Sequence, residues 1–186
     1  MDNFKKYNQD NSPQDAVDTI TTVTKNFGFL PNLIAHMAGS PVLIKSYMAI
    51  GEFFSSGSLT ATEQQVVLMT INRFHECRYC MAGHTMVSEM TGVDMAAINA
   101  IRDDQPIGNQ KLGALRGFTL AMVEQRGKLS QAQFNVFFDA GYTEETVLEI
   151  IAAAAYKTMS NYTNHIVGTV TDAAFINNKW SPINER

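Results

Sequence analysis

Apolar residues recur at intervals of three and four along most of this 186-residue chain, the spacing that places them on one face of a helix. No stretch of useful length alternates with the period of two that is typical of a strand. No internal repeat and no linker-like segment divides the chain. The sequence therefore predicts a single all-helical domain over residues 1–186, with the polar residues 1–12 as a flexible N-terminus.

Capping residues and helix breakers place the ends of these helices. Ser12 is a candidate N-cap before Pro13, and Thr60 with Glu63 three residues later forms a capping-box pattern. Gly92 is predicted to end the helix that carries Cys80 and His84. The predicted helices cover residues 13–25, 33–37, 41–54, 61–76, 79–90, 95–101, 110–125, 131–140 and 143–167, with one further turn at 172–176.

Composition argues against several classes of partner. A hydrophobic fraction of 45% and a charged fraction of 17% are typical of a soluble globular domain, and a net charge of -4 does not favour nucleic acid or an anionic membrane. The most apolar run, residues 150–156, is far shorter than the ~20 residues that span a bilayer, and the N-terminus lacks a signal-peptide pattern. We expect a cytoplasmic protein, in which neighbouring thiols are more typical of redox or metal chemistry than of a permanent disulfide.

The chain's two cysteines lie in HECRYCMAGH, residues 75–84, together with two of its four histidines. On a helix, Cys80 and His84 lie about 300° and 700° around the axis from Cys77, so all three can face one small volume. A helix N-terminus stabilises a thiolate, and an imidazole one turn away can take the thiol proton. This spacing favours a nucleophilic thiol with its own base and a second thiol that closes a disulfide.

Two other interpretations of the same residues stay open. A structural zinc site needs four ligands, and these three with His75 are the only candidates, since no second pair of ligands follows at conventional spacing. Two buried cysteines packed as small hydrophobic residues would explain neither the spacing nor the histidine.

The stretch LTATEQQVVLMTINRFHECRYCMAGHT, residues 59–85, resembles the core of the carboxymuconolactone decarboxylase superfamily. It is most similar to the alkylhydroperoxidase D-like branch, whose signature is C-x-x-C-x-x-x-H after a helix with a glutamate. FGFLPNLIAHMAGSP at 27–41 and NYTNHIVGTVTDAAF at 161–175 resemble flanking segments of the family, so the likeness covers about residues 27–175. The resemblance implies an all-α fold and a homo-oligomer, often a trimer or hexamer.

The resemblance also implies a thiol-dependent peroxidase. In that scheme Cys80 attacks the hydroperoxide and becomes a sulfenic acid, and Cys77 condenses with it to a disulfide. His84 belongs to the proton relay. A dithiol reductant, either a protein or a small thiol, restores the pair, and no metal or organic cofactor takes part.

This chain departs from the family pattern at the relay glutamate. The family has that glutamate twelve residues before the first cysteine, and the position here is Gln65, an amide that cannot carry a proton. Glu76, next to Cys77, is the nearest carboxylate in sequence and is a candidate replacement as well as a candidate surface charge. The resemblance leaves two alternatives to the peroxidase: a carboxymuconolactone decarboxylase-type lyase, or a non-enzymatic oligomer that senses redox state or binds metal.

Overall fold

The structure, a computed structural model, describes residues 4–185. Over this range the chain is helical and contains no strand, which confirms the predicted all-α class. The α-helices are α1 Gln14–Phe27, α2 Asn32–Met37, α3 Pro41–Ser55, α4 Ala61–Phe74, α5 Arg78–Thr91, α6 Met95–Arg102, α7 Gln110–Glu124, α8 Gln131–Asp139 and α9 Glu144–Val167, followed by 3₁₀ turns at Ala173–Asn178 and Ile183–Glu185.

Most helix ends follow the predicted capping residues. Thr60 Oγ1 accepts the backbone N–H of Glu63 at 3.3 Å, and Glu63 Oε2 accepts that of Thr60 at 3.0 Å, which confirms the capping box. Gly92 ends α5 in the left-handed conformation, as predicted. The predicted Ser12 cap is wrong: Pro13 is the N-cap of α1, because the Ser12 hydroxyl donates back to the Asn8 carbonyl instead.

Helix α4 is the central helix of the fold and packs against α5, α6, α7 and α9. Its residues 66–72 are buried on every side, as expected for a helix enclosed by others. The larger core joins α4 to α6, α7, α8 and the first half of α9, around side chains such as Phe137 and Leu115. A second core joins α1, α2 and α3 to the start of α5, and it contains both cysteines.

The chain ends are held against this second core. The 3₁₀ turn Ala173–Asn178 packs on α5, and the N–H of Tyr7 donates to the carbonyl of Ala35 in α2 at 2.9 Å. Residues 1–3 of the N-terminus that the sequence predicts to be flexible lie outside the described residues. Within residues 4–185, no helix is long and apolar enough to cross a membrane.

Candidate active site

The two cysteines lie on either side of the first residues of α5. Cys77 is its N-cap, and its N–H donates to the Asn72 carbonyl at 2.9 Å, while Cys80 lies in the first turn. Both are buried and unoxidised. Asn164 of α9 donates from Nδ2 to both sulfurs, at 3.5 Å to Cys77 Sγ and 3.2 Å to Cys80 Sγ. One amide therefore holds the two sulfur atoms side by side.

The surroundings shift the pKa values of the two thiols in opposite directions. Burial opposes ionisation of Cys80, but the hydrogen bond from Cys77 and the positive charge of Lys157 outweigh it and lower the Cys80 pKa to about 6. The same hydrogen bond, together with burial, raises the pKa of Cys77 far above the usual range of a thiol. At neutral pH the pair is therefore a Cys80 thiolate beside a Cys77 thiol, and the thiolate is the nucleophilic form.

His84 contacts two side chains on other helices. Its Nδ1 lies 3.0 Å from Gln65 Oε1, and its Nε2 lies 2.9 Å from the Nζ of Lys157. An ammonium can only donate, so Nε2 accepts and Nδ1 carries the proton that is donated to Gln65. Desolvation and the charge of Lys157 hold the pKa of His84 well below its ordinary value. The imidazole is therefore neutral and is held in one tautomer.

A cavity of about 290 Å³ opens onto these groups. Cys80, His84, Gln65 and Lys157 line its polar end, whereas Cys77 lies behind Cys80, outside the lining. Most of the remaining wall is apolar or aromatic, although Ser55 and Gln64 also line it. The wall includes the stacked rings of Tyr47 and Tyr156, 4.4 Å apart, and the rings of Phe27, Phe54, Tyr79 and Phe175. Of the two cysteines, Cys80 therefore borders the cavity and Cys77 does not.

Several solved structures share this architecture over nearly the whole chain. A peroxidase-related protein from Ralstonia eutropha, described as an alkylhydroperoxidase AhpD core, matches 96% of this chain and 97% of its own at 19% identity and a TM-score of 0.82. The apo debrominase Bmp8 matches 96% of both chains at 20% identity and a TM-score of 0.79, and a second Bmp8 structure contains 2,3,4-tribromopyrrole. This protein has the alkylhydroperoxidase D-like fold.

A peroxidase-related protein from a Silicibacter species matches 89% of this chain and 88% of its own, at 14% identity and a TM-score of 0.75. No protein-family model and no curated protein matches the sequence. At these identities the likeness concerns the fold, and the chemistry depends on the residues that this chain places in its cavity.

Within the alkylhydroperoxidase D-like fold, the predicted site residues separate into two groups. Cys77 and Cys80 share the amide of Asn164, and Gln65 contacts His84. The two ring nitrogens of His84 are bonded to Gln65 and Lys157, so the structure does not support the expectation that this imidazole takes the thiol proton directly. Glu76 does not join them. It lies exposed in the turn between α4 and α5, in the left-handed conformation with φ 53°, and outside the cavity lining. The structure therefore gives no support to Glu76 as the replacement carboxylate.

Sequence reasoning missed the groups that α9 contributes. Lys157 is fully buried, and Asn161 and Asn164 follow it on the same face of the helix. The sequence contained a signal for this. Ala153, Lys157, Asn161 and Asn164 are separated by four, four and three residues, so they lie on one face of the helix, and that face changes from apolar to polar while it stays buried. A lysine on such a face needs a partner, and that need indicates a functional site.

The other histidines lie away from the cavity. His36 Nδ1 is 3.1 Å from the carbonyl of Lys5, and His165 is exposed on α9. His75, the candidate fourth zinc ligand, packs edge-on against the rings of Phe74 and Tyr162. Across residues 4–185, no cluster of three or more His, Cys, Asp or Glu side chains is arranged to hold a metal ion.

Proposed function

We propose that this protein is a thiol-dependent peroxidase that reduces organic hydroperoxides through a Cys77/Cys80 dithiol–disulfide cycle. The observation that carries the proposal is the hydrogen bonding of one amide, that of Asn164, to both sulfurs, while only Cys80 faces the cavity. An attacking thiolate on the cavity wall and a second thiol in contact behind it are the parts that such a cycle requires.

The cycle has three steps. The Cys80 thiolate attacks the outer oxygen of R–O–OH, an S–O bond forms, the O–O bond breaks, and RO⁻ leaves and takes up a proton. Cys80 is then a sulfenic acid. The Cys77 thiol displaces hydroxide from it, the Cys77 proton leaves in the resulting water, and a disulfide remains. A dithiol reductant returns both cysteines to thiols by exchange, so the electrons come from thiols alone.

Reductive dehalogenation of a small aromatic compound is the second candidate. The fold match to the debrominase Bmp8 and the aromatic cavity wall favour it. Replacing a carbon–bromine bond by carbon–hydrogen is also a two-electron reduction: the bromoarene and two thiols yield the arene, a disulfide and hydrogen bromide. The same cysteine pair can therefore serve either substrate, and only the substrate distinguishes the two reactions.

Thiol counting after a single dose of hydroperoxide tests the proposal. Reduced wild-type protein treated with one equivalent of cumene hydroperoxide should lose both thiols and form an intramolecular disulfide. Cys77→Ser should instead accumulate a sulfenic acid that dimedone traps, and Cys80→Ser should keep its remaining thiol. The two variants control for each other because each removes one sulfur from the same pocket.

Loss of the single thiol of Cys80→Ser at the rate at which wild type loses its two would refute the peroxidase assignment. A wild-type protein that leaves the hydroperoxide intact but releases bromide from a bromopyrrole, with a dithiol present, would establish the second candidate instead.

We also propose that the chain forms a homo-oligomer, as the sequence resemblance implies. Exposed apolar side chains follow one face of α9 at Leu148, Ile151, Tyr162 and Ile166, and Phe53 of the adjacent α3 is 74% exposed. An apolar surface of this kind is typical of an interface between subunits. Analytical ultracentrifugation should show a species larger than a monomer, and Ile151→Lys should shift it toward the monomer.

A further inference from the structure

Lys157 carries a positive charge into the interior of the protein. Its side chain is fully buried, its Nζ lies 2.9 Å from His84 Nε2 and 5.1 Å from the centre of the Tyr156 ring, and it lines the same cavity as Cys80. None of the salt bridges among residues 4–185 involves it. A buried ammonium is strongly destabilising unless an anion is nearby. The anion available in this site is the Cys80 thiolate.

We propose that Lys157 is the acid of this site: it holds a proton while Cys80 is a thiolate and transfers that proton to the leaving group when Cys80 is oxidised. This inference rests on the peroxidase function proposed above and names the group that completes its proton balance.

Oxidation of Cys80 changes the charge of the site. When Cys80 forms its bond to oxygen, the site loses its negative charge, and a Lys157 that kept its proton would be a buried cation without an anion. The alkoxide that leaves at the same moment is a strong base in the same cavity. Proton transfer from Nζ to the alkoxide oxygen removes both charges in one step. The reduced site is thus Cys77 thiol, Cys80 thiolate and Lys157 ammonium; the oxidised site is a disulfide and a neutral amine.

Neither His84 nor Gln65, which line the cavity with Lys157, is placed to donate this proton in its stead. His84 is a neutral acceptor toward Nζ, and its own Nδ1 proton is donated to Gln65. Gln65 provides no negative charge that could keep the lysine protonated after oxidation. The titratable groups that line the cavity with Lys157 are Cys80, His84, Tyr47 of α3, Tyr79 of α5 and Tyr156 of α9. Cys77 lies outside the lining, hydrogen-bonded to Cys80.

The proton count gives a direct test that needs no hydroperoxide. The midpoint potential of the Cys77/Cys80 pair is measured from pH 7 to 9 in dithiol redox buffers, and the thiolate of Cys80 is followed by ultraviolet absorbance. We expect the thiolate to be present throughout and the potential to fall by about 59 mV per pH unit, because two protons accompany two electrons. A lysine that keeps its proton would give about 30 mV, one proton for two electrons.

Two variants test whether Lys157 is the source of the second proton. Lys157→Arg keeps the charge but cannot release a proton, so its slope should fall to about 30 mV per pH unit. Lys111→Arg, the same change at a partly exposed lysine paired with Glu63, should keep the wild-type slope. If the arginine variant does not fold, as judged by circular dichroism, the wild-type slope alone decides.

A wild-type slope of about 30 mV, or a slope of 59 mV with Cys80 still protonated, overturns the role of Lys157. Either result leaves the peroxidase function to be judged by the thiol counts above. Conversely, a protein that fails to reduce hydroperoxides refutes the proposed function, while the slope still reports whether Lys157 releases a proton when the disulfide forms.

Discussion

Asn164 is the side chain on which the ionisation of the cysteine pair can be tested most directly. Asn164→Leu keeps the size of the buried side chain but removes the N–H that lies 3.2 Å from Cys80 Sγ. A hydrogen bond to a charged group contributes about 1.5–3 kcal/mol, and the lower end applies because sulfur is a weak acceptor. Since about 1.4 kcal/mol corresponds to one pKa unit, the Cys80 pKa should rise from about 6 to about 7.

This shift predicts a loss of activity that depends on pH. At pH 6 the thiolate fraction should fall from about one half to about one tenth, so oxidation by cumene hydroperoxide should slow roughly fivefold. At pH 9 both proteins are almost fully ionised, and their rates should agree. Stopped-flow measurement of Cys80 oxidation, together with the ultraviolet titration of the thiolate, checks both values.

A matched control lies next to it on the same helix. Thr163→Val removes a hydroxyl that donates to the Met159 carbonyl and contacts neither sulfur, so its thiolate titration should match that of wild type. The role of Asn164 in the ionisation of Cys80 is refuted if Asn164→Leu titrates like wild type, or if its loss of activity at pH 6 persists unchanged at pH 9. The second outcome would mean that Asn164 maintains the shape of the site and does not act through ionisation.

Four further substitutions test other residues of the site and of the core. Gln65→Glu places a carboxylate on Nδ1 of His84 and should raise the pKa of that imidazole, as followed by NMR; no rise would contradict the contact. Lys157→Met should slow reduction of an alkyl hydroperoxide more than that of a peracid, whose carboxylate leaves without a proton; equal slowing in rapid-mixing assays would limit Lys157 to stabilising the thiolate. Phe137→Ala, at a fully buried ring, should lower the free energy of unfolding in urea by about 3–5 kcal/mol, and Phe138→Ala, 37% exposed, by clearly less.

The presence of the helices could be predicted because it depends on residues that are close in sequence. The capping box at Thr60 and the apolar spacing of α4 depend only on residues within one or two turns of each other. The predicted helix over 61–76 ends two residues early, at Phe74, because Glu76 turns into the left-handed conformation and its neighbour becomes the N-cap of α5. That turn depends on the bond from the Cys77 N–H to the carbonyl of Asn72, which periodicity does not show.

The amino-acid sequence by itself predicted an all-α chain and the proximity of Cys77 to Cys80, because residues three apart at a helix end lie close together. Only the tertiary structure decided how that pair ionises. Asn164 lies 84 residues from Cys80, and Lys157 lies 73 residues from His84, yet both side chains reach the site from α9. Helical periodicity says which residues of one helix share a face, but the packing of helices decides which face lies opposite. For that reason the pKa of Cys80 depends on the charge of Lys157 and on hydrogen-bonding side chains of α9, which its own helix does not contain.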